Sequence, residues 1–410
     1  MNNKNKVAIT GMGVICAIAN NNDEFLASLK NGNDGIKKIT IFSTEGYRTD
    51  NAGMIDFDPL KEDKKNNPEH DRCLFLLEHA SNLAINDSKL HLEPDTAYNY
   101  GVSFATSLGC VDFLEKYIIG KDSGINGENK KEQLNNLLFI PHNVPTAYLA
   151  EKYNFTGPSF TVDTACASGT NSIGYAYDKI ANNECEIMVT GGVDVVNLLS
   201  YSGFSSMMNL TQTKCAPFDV NRTGLVLGEA AAVFIFENYE SAKKRGAKIY
   251  AEVCGYGLSN DAFHETQPDP NAGGAIRAIS KALKESQVAP EKIDYINAHG
   301  TGTKFNDLME GVAIKEVFKN VQNKPKISST KAAMGHALGA AGAIEFAACL
   351  MAIKHSFLPP TLNLEESHEL MSEYNFVPQK SLECNVDYAM SNSFGFAGNC
   401  SSIVLKKTEV

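Results

Sequence analysis

The run VDTACASG at residues 162–169 places Cys166 between an extended stretch, residues 159–164, and a helical pattern over residues 168–182. A strand-to-helix corner of this kind is typical of α/β proteins. Unpaired backbone amides at a helix start carry partial positive charge, which favours the thiolate of Cys166 over the thiol. Its small neighbours leave room for a substrate carbonyl. The corner predicts a nucleophilic cysteine, and the alternative is a small buried cysteine in a tight turn.

Two later histidines stand in glycine-rich surroundings. His299 lies in the run NAHGTGT at residues 297–303, where a predicted buried strand ends and a loop begins. His336 lies in the run SSTKAAMGHALG at residues 328–339, before an Ala/Gly-rich helix. Both settings are typical of histidines that point into a cleft, and the alternative for His299 is a capping role in a tight turn.

Lys331 and Glu345 flank His336 in the sequence and predict a buried ion pair that holds the site together. A cysteine hydrolase needs one histidine as base, usually oriented by an Asn or Asp. Decarboxylation of a malonyl thioester instead develops an enolate oxyanion, which two imidazole N–H groups could stabilise together. One cysteine and two histidines therefore favour carbon–carbon bond formation on a thioester over hydrolysis.

Composition narrows the class of protein. The chain of 410 residues is 43% hydrophobic and 21% charged, which suits a globular protein of one large or two medium domains. Its formal net charge of -11 argues against a nucleic-acid partner, since such a protein needs a basic face. The ten cysteines form no CxxC pair, so we interpret them as reduced thiols of a cytoplasmic protein.

The N-terminus and the apolar runs bear on location and cofactors. Gly11 and Gly13 interrupt the apolar stretch at residues 7–19, which disfavours a signal peptide. No apolar run approaches the roughly 18 residues that a membrane helix needs, so no membrane partner is expected. Cys16 stands where the dinucleotide motif GxGxxG needs its third glycine, which argues against a nucleotide site.

Strand-like and helix-like segments alternate along the chain, which is the pattern of an α/β protein whose sheets are covered by helices. The predicted strands are residues 7–10, 100–104, 187–191, 230–237, 249–255, 295–298, 327–329 and 402–406. The predicted helices include residues 272–286, 307–318 and 337–348. A strand, a Gly/Ser-rich turn and an Ala-rich helix occur at Cys166 and again at His336, which is consistent with an internal duplication.

The chain resembles the β-ketoacyl-[acyl-carrier-protein] synthase family over essentially its whole length, in the elongating Cys-His-His, KAS II-like type. Beyond the three site motifs, the resemblance rests on VAITGMGV at 7–14, GPS at 157–159, FDVNR at 218–222, GE at 228–229, KKRGAK at 243–248 and NSFGF at 392–396. It implies a thiolase-like α/β fold, in which two pseudo-duplicated βαβαβαββ halves form an αβαβα layered sandwich. The halves are expected at residues 1–254, with the nucleophile, and 255–410, with both histidines.

The resemblance also implies a role for each site residue. Cys166 would take the acyl chain as a thioester from acyl carrier protein or coenzyme A. His299 and His336 would promote decarboxylation of the malonyl unit, and Lys331 would orient the site with the help of Glu345 and of Glu310. The enzyme itself would require no cofactor, because its substrate arrives on the phosphopantetheine arm of acyl carrier protein.

Further residues are expected around this centre by the same resemblance. The amides of Cys166 and Phe396 would form the oxyanion hole, and Phe396 would be the gate to the acyl pocket. Thr301 and Thr303 would bind the phosphopantetheine arm. The acyl pocket would be lined by Leu108, Cys110 and, across a dimer interface, Phe139. Acyl carrier protein would dock on Lys61, Lys64, Lys65, Lys130, Lys131 and Lys214. A structural monovalent cation would lie near Asn297, Glu345, Ser391 and Asn392.

Two departures from the family pattern bear on the pathway. The gate reads GFAGNC at residues 395–400 instead of GFGGTN, and Ala397 is expected to stiffen this loop. Asp163, before Thr-Ala-Cys, is similar to the VDTAC run of polyketide ketosynthases. Both departures favour the ketosynthase α subunit of a type II polyketide or specialised fatty-acid-like pathway, as a homodimer or as a heterodimer with a chain-length-factor-like paralogue.

Three alternatives compete with that interpretation. The first is housekeeping fatty-acid elongation by the same reaction. The second is a non-catalytic subunit that shapes the cavity of an active partner, which the intact Cys166, His299 and His336 argue against. The third is a degradative thiolase, which the motif around His336 disfavours.

Overall fold

The computed structural model describes residues 4–66, 71–90, 99–122 and 137–409. Its strands are β1 Val7–Cys16, β2 Ile36–Lys38, β3 Asn51–Gly53, β4 Tyr100–Ala105, β5 Ser159–Val162, β6 Ile187–Asp194, β7 Ala230–Asn238, β8 Ala251–Asn260, β9 Tyr295–Asn297, β10 Lys326–Ser328, β11 Phe357–Leu358, β12 Asn375–Phe376, β13 Leu382–Glu383, β14 Tyr388–Phe394 and β15 Asn399–Lys406. Its α-helices are α1 Asn22–Asn31, α2 Asp58–Asn66, α3 Arg72–Ser88, α4 Val111–Asp122, α5 Val144–Lys152, α6 Ser168–Ala181, α7 Leu198–Ser206, α8 Tyr239–Lys244, α9 Gly273–Ser286, α10 Lys304–Val317, α11 Lys331–Met334 and α12 Ala341–His355.

Eleven of the described strands form one mixed sheet in the order β12-β10-β9-β14-β15-β8-β1-β7-β6-β4-β5. In the first set, β4 lies between parallel partners β5 and β6, and β7 and β1 follow in antiparallel pairs. In the second set, β9 lies between parallel partners β10 and β14, and β15 and β8 follow in antiparallel pairs. The same strand order therefore occurs twice.

The two sets of strands meet along a short antiparallel pairing. Val7, Ala8 and Ile9 of β1 pair with Val253, Glu252 and Ala251 of β8. A division of the chain at residue 254 falls inside β8. The strand order assigns the whole of β8 to the second set, so we propose that the second half begins a few residues earlier than the sequence alone indicated.

Helices complete the expected five-layer αβαβα sandwich. Helix α3 covers the outer face of β1 and β7, and helix α9 covers the outer face of β8 and β15. Helices α6 and α12 lie between the two sets of strands, because α6 contacts β4 and β6 as well as β15, and α12 contacts β7 as well as β14. The central layer is thus built by the two helices that follow the Cys166 and His336 motifs.

Helix α12 is apolar on every side because it packs against sheets on both faces. All residues from Ala341 to Ile353 are buried, and the ring of Phe346 lies 4.9 Å from that of Phe234 on β7. The window Leu338–His355 has 18 residues and a mean hydropathy of 1.3, with 89% of it buried. The statement that no run approaches membrane length was therefore wrong: this run has the length and composition, but it forms the core helix of the sandwich.

Candidate active site

The nucleophile corner lies between β5 and α6, as the sequence indicated. Ala165 has a left-handed backbone, with φ of 50°, which turns the chain sharply before the helix. The Ser168 hydroxyl fixes this turn by accepting the Thr164 amide hydrogen bond at 2.7 Å and donating to the Ala165 carbonyl at 2.6 Å. Cys166 is 7% exposed, so its thiol meets solvent only through the cavity described below.

The electrostatics of Cys166 differ from the sequence-based expectation. Burial raises the pKa of the thiol to about 11, although the Lys331 ammonium and the backbone amides of Cys166 and Phe396 act to lower it. The backbone amides at the helix start act in the expected direction, but they do not hold the substrate-free site in its thiolate form. The reason is that desolvation of a fully enclosed sulfur outweighs the partial charges at a helix terminus.

His299 follows β9 and is held through its backbone by helix α10. The Glu310 carboxylate accepts hydrogen bonds from the amides of His299 at 2.9 Å and Gly300 at 2.8 Å. Burial raises the pKa of Glu310 to about 7. The clamp fixes the direction in which His299 leaves the strand.

His336 is fixed by backbone bonds to the neighbouring segment and by its own ring. Its amide donates to the Val226 carbonyl at 2.8 Å, and its carbonyl accepts from Gly228 at 2.9 Å. Gly335 has φ of 77°, and a Cβ there would meet the Leu227 carbonyl oxygen at 2.5 Å, so only glycine fits before this histidine. The Leu338 amide donates to His336 Nδ1 at 3.1 Å.

Lys331 joins the two histidine segments from the first turn of α11. Its ammonium forms a buried ion pair with Glu345 of helix α12. It also donates to the His299 carbonyl at 2.6 Å and lies 3.2 Å from His299 Nδ1. Lys331 and Glu345 are 2% and 1% exposed, so burial removes water from both charges. The hydrogen bonds from the Lys331 ammonium to His299 replace part of that water and offset the cost of burying the pair.

These contacts assign the same tautomer to both histidines. An ammonium only donates, so Nδ1 of His299 accepts from Lys331, and Nδ1 of His336 accepts from an amide. Each ring therefore carries its hydrogen on Nε2. Burial and the Lys331 charge hold the pKa of both His299 and His336 well below the ordinary value, which keeps the rings neutral.

The three side chains converge on one point. The Cys166 sulfur and a ring nitrogen each of His299 and His336 all lie within 4.8 Å of one another. The two rings are 5.4 Å apart and nearly perpendicular, at 85°. Two neutral N–H donors thus face a thiol across the space of a single carbonyl or enolate oxygen, an arrangement suited to stabilising negative charge on a thioester.

A cavity of about 350 Å³ opens onto this centre. The residues that line it include Cys166, His299, His336 and Phe394, together with Thr301 and Thr303. The two threonine hydroxyls lie 2.9 Å apart, and the Asp307 carboxylate accepts from the Thr301 amide at 3.1 Å. An extended polar arm entering the cavity would pass these hydroxyls.

The loop 395–398 forms one wall of the cavity and carries Phe396, the predicted gate residue. The Phe396 ring stacks on Phe204 at 5.8 Å, and the Phe396 backbone amide acts to lower the pKa of the Cys166 thiol. Ala397 has φ of 57° and ψ of 24°, a left-handed conformation that costs an alanine about 1 kcal/mol relative to glycine. The Ala397 amide is tied to the Glu265 carbonyl at 2.8 Å. The loop is therefore strained at Ala397 and held in place by the hydrogen bond of the Ala397 amide.

The structure leaves the predicted acyl pocket apart from this cavity. Among the described residues, those that line the cavity include none of Leu108, Cys110 and Phe139. Leu108 adjoins Ser107, whose hydroxyl donates to the Ala165 carbonyl at 3.3 Å. Cys110 is fully buried, and Phe139 is 43% exposed and lies 5.3 Å from the Phe113 ring. Their role stays a prediction.

The predicted docking lysines are only partly described. Lys61 is exposed and forms ion pairs with Asp56 at 2.5 Å and Asp58 at 3.2 Å, which neutralise its charge locally. Lys214 is exposed near the Thr301 side of the cavity, next to Cys215, whose thiol donates to the Thr301 carbonyl at 3.5 Å. The residues or side chains that lie outside the described part are Lys64, Lys65, Lys130 and Lys131.

Asp194 is a site residue that the sequence analysis missed. Its carboxylate accepts from the amides of Ser107 at 2.8 Å, Leu108 at 3.1 Å and Gly339 at 2.7 Å. Burial raises its pKa to about 6. Asp194 therefore ties the loop beneath Cys166 to the turn after His336, and the only signal in the sequence was an acid at the end of an apolar strand.

The residues expected near a monovalent cation are consistent with such an ion. Asn297 and Ser391 are paired across the parallel strands β9 and β14. Among the buried oxygens of the described residues that have no hydrogen-bond partner, four lie on these residues, namely Asn297 Oδ1, Glu345 Oε2, Ser391 Oγ and Asn392 Oδ1. Neutral and carboxylate oxygens without donors are what a hard cation requires, so the donor set fits the group.

Comparison with known proteins identifies the family. The beta-ketoacyl synthase N-terminal domain matches residues 4–242, and the beta-ketoacyl synthase C-terminal domain matches residues 250–365. This chain belongs to the beta-ketoacyl synthase family. It is a 3-oxoacyl-[acyl-carrier-protein] synthase, an acyltransferase with the KAS II-like, thiolase-like α/β fold.

Full-length relatives support the assignment. The 3-oxoacyl-[acyl-carrier-protein] synthase 2 of Synechocystis sp. is 38% identical, with 98% of each chain covered, and that of Coxiella burnetii is 36% identical, with 98% of this chain and 99% of the relative covered. Among solved structures, the ishigamide ketosynthase/chain length factor has a TM-score of 0.90 at 33% identity, covering 99% of this chain and 100% of that one. A type II polyketide ketosynthase in complex with its acyl-carrier protein, bound to a hexaketide, has a TM-score of 0.90 at 28% identity, with the same coverage.

Proposed function

We propose that this synthase is the ketosynthase α subunit of a type II polyketide or specialised fatty-acid-like pathway. In it, Cys166 carries the growing acyl chain and malonyl-acyl carrier protein extends it by decarboxylative Claisen condensation. The observation that carries the reaction is the convergence of the Cys166 sulfur and two histidine nitrogens within 4.8 Å of one another. The full-length likeness to a ketosynthase/chain length factor supports the pathway.

The first step is transfer of the acyl group to Cys166. The sulfur attacks the thioester carbonyl of acyl carrier protein, a new carbon–sulfur bond forms, and the phosphopantetheine thiol leaves with a proton. The backbone amides of Cys166 and Phe396 act to lower the pKa of the sulfur, which supports their role as donors to the oxyanion of the intermediate. Because the resting thiol is protonated, its proton is the one that the departing phosphopantetheine thiol takes up.

The second step is decarboxylation of the malonyl unit. The bond between the α carbon and the carboxylate breaks, carbon dioxide leaves, and the electron pair forms an enolate on the thioester oxygen. The Nε2–H groups of His299 and His336 stabilise that oxygen, and the Lys331–Glu345 pair keeps His299 in the required tautomer. The enolate carbon then attacks the Cys166 thioester, a carbon–carbon bond forms, and the thiolate of Cys166 is released.

The remaining parts of the proposal concern binding. Thr301 and Thr303 bind the phosphopantetheine arm, and Leu108, Cys110 and a partner's Phe139 line the acyl pocket. Acyl carrier protein docks on the basic residues that include Lys61 and Lys214. Asn297, Glu345, Ser391 and Asn392 would hold a monovalent cation, whose charge would offset that of Glu345. All ten cysteines are free thiols, which supports a cytoplasmic location.

Housekeeping fatty-acid elongation is the second candidate, since the relatives named 3-oxoacyl-[acyl-carrier-protein] synthase 2 match at 36% and 38% identity. Intact-mass spectrometry of carrier-protein-bound products separates the two. The protein is mixed with malonyl-acyl carrier protein and an acyl-primed carrier protein, with and without a cysteine-less paralogue. Condensation that requires the paralogue and gives poly-β-keto chains supports the α subunit. A single ketoacyl product made without the paralogue, and absent for Cys166→Ala, supports elongation and contradicts the α-subunit proposal.

A further inference from the structure

A second cluster of metal-binding side chains lies apart from the catalytic cysteine. The Asp71 carboxylate and the thiols of Cys73 and Cys110 each offer a donor atom, and these atoms lie within 4.8 Å of one another. All three residues are buried, with Asp71 1% and both cysteines 0% exposed. The reaction mechanism uses none of the three as a reacting group.

Two helix starts bring these donors together. Asp71 is the N-cap of α3, and its Oδ1 accepts from the Cys73 amide at 2.7 Å, which fixes the carboxylate beside the thiol. Cys110 directly precedes helix α4, and its carbonyl accepts from the Phe113 amide at 3.3 Å. Both thiols therefore lie at helix N-termini.

We infer that Asp71, Cys73 and Cys110 form a binding site for a thiophilic divalent cation of the Zn²⁺ class. Zinc binds cysteine sulfur at about 2.3 Å and carboxylate oxygen at about 2.0–2.2 Å. In a tetrahedral site these bond lengths put the donor atoms roughly 3.5–3.8 Å apart. The observed spread, within 4.8 Å, needs an adjustment of about one ångström or less. The set leaves a fourth position for water or another ligand.

Charge supports the same assignment. The Asp71 carboxylate is 1% exposed and lies beside two buried thiols that would bind a metal as thiolates, so an occupied site would gather negative charge. The guanidinium of the adjacent Arg72 binds Glu229, with Nε to Oε2 at 2.9 Å, and the Ile55 carbonyl at 3.2 Å. A bound cation would offset the negative charge of the Asp71 carboxylate and of the two thiolates that hold it.

A cation at this site would connect α3 to the loop beneath the nucleophile. Cys110 ends the segment in which Ser107 contacts the Ala165 carbonyl and Asp194 holds the Ser107 and Leu108 amides. Binding would fix both ends of that segment, one at Asp194 and the other at the metal.

The test is titration of the Cys166→Ala protein with Co²⁺ alone, followed by absorbance. The substitution removes the only thiol of the other donor set, formed by Cys166, His299 and His336, so a thiolate-to-cobalt charge-transfer band cannot arise there. We expect the band at one Co²⁺ per chain. It should disappear when Cys73→Ser is added and persist when Cys185→Ser, a second buried cysteine, is added as the matched control.

A conservative variant tests the carboxylate. Asp71→Asn keeps the N-cap acceptor but removes the charge, so we expect the protein to stay folded and bind Co²⁺ at least about tenfold more weakly.

Retained condensing activity of Cys73→Ser in the protein with intact Cys166 verifies its fold. Absence of the band in Cys166→Ala, or its survival with Cys73 and Cys110 both changed to serine, overturns the site. Recovery of these two thiols as a disulfide, shown by the loss of two hydrogen masses, also overturns it.

Discussion

The two halves of the sandwich build the same strand, turn and central helix but use the turn differently. In the first half, residues 163–167 connect β5 to α6 and expose a single nucleophile, Cys166. In the second half, residues 329–340 connect β10 to α12, and this longer connection holds the short helix Lys331–Met334 and His336. The shorter connection carries the proposed nucleophile, and the longer one carries His336 and Lys331, which forms the buried ion pair with Glu345.

Burial acts on the titratable groups of both halves and shifts their pKa values in opposite directions with the same chemical result. Burial raises the pKa of Cys166 to about 11 and lowers the pKa of His299 and His336, so all three groups are driven to their neutral forms. The Lys331–Glu345 pair is the ionic element beside them. Negative charge in the site therefore develops on the substrate, where the N–H donors meet it.

The largest expected effect comes from removing the nucleophile. Cys166→Ala should lower condensation at least about 10⁴-fold, because no acyl-enzyme can form. Malonyl decarboxylation should continue, since His299 and His336 remain in place. Carbon dioxide release and ketoacyl product are measured side by side, with Cys185→Ala as the buried-cysteine control. Loss of both reactions in Cys166→Ala would contradict the proposal that Cys166 carries the acyl chain while His299 and His336 promote decarboxylation.

The next prediction concerns the two histidines whose N–H groups would stabilise the enolate oxygen, His336 in the second turn and His299 after β9. His336→Ala or His299→Ala should slow decarboxylation by about 10²–10³-fold each, the usual cost of one oxyanion donor. Acylation of Cys166 by acyl-carrier protein should persist, and mass spectrometry of the intact protein measures it. A His336→Ala protein that decarboxylates normally would remove that histidine from the oxyanion site.

The pKa of Cys166 predicts how its reactivity depends on pH. A thiol whose pKa is raised to about 11 is protonated at neutral pH, so its rate of alkylation should rise about tenfold per unit between pH 7 and pH 10. The rate is measured by peptide mass spectrometry of the Cys166 peptide after iodoacetamide treatment. An alkylation rate that no longer rises above pH 7 would mean that Cys166 is already a thiolate at neutral pH, as the helix start alone predicts.

The smallest effect concerns the gate. Ala397→Gly should relieve the left-handed strain and raise the free energy of unfolding by about 0.5–1 kcal/mol, as measured by urea denaturation. Ala289 is exposed and has an ordinary φ of -68°, so Ala289→Gly is the matched control and should destabilise the protein slightly. Equal destabilisation by both changes would show that Ala397 carries no strain.

The sequence predicted the fold wherever apolar patterns are regular. Strand β7 (Ala230–Asn238) and helix α9 (Gly273–Ser286) lie within a residue or so of their predicted ranges, because a doubly covered strand and an amphipathic helix leave clear patterns. Strand β14 (Tyr388–Phe394) was not predicted as a strand. Its buried polar residues, such as Ser393, whose hydroxyl lies 2.8 Å from that of Thr170, break the apolar pattern.

The site was predicted by motif, but its energetics required three-dimensional packing. The sequence named Cys166, His299, His336 and Lys331, yet it could not show that enclosure of the sulfur outweighs the helix terminus. It also missed Asp194, because the contacts of that carboxylate join residues 87 and 145 positions away in the chain. Such long-range contacts leave no local pattern.

The central layer has a consequence for fragments of this protein. Helix α12 of the second half packs against strand β7 of the first, and α6 packs against β15, so each half completes the other's interior. A fragment that contains only one half would expose the apolar faces of its central helix and strands, so we expect it to aggregate when it is made alone. Co-expressed in one cell, the two pieces should reassemble by fragment complementation, and the catalytic trio would form only in the reassembled particle.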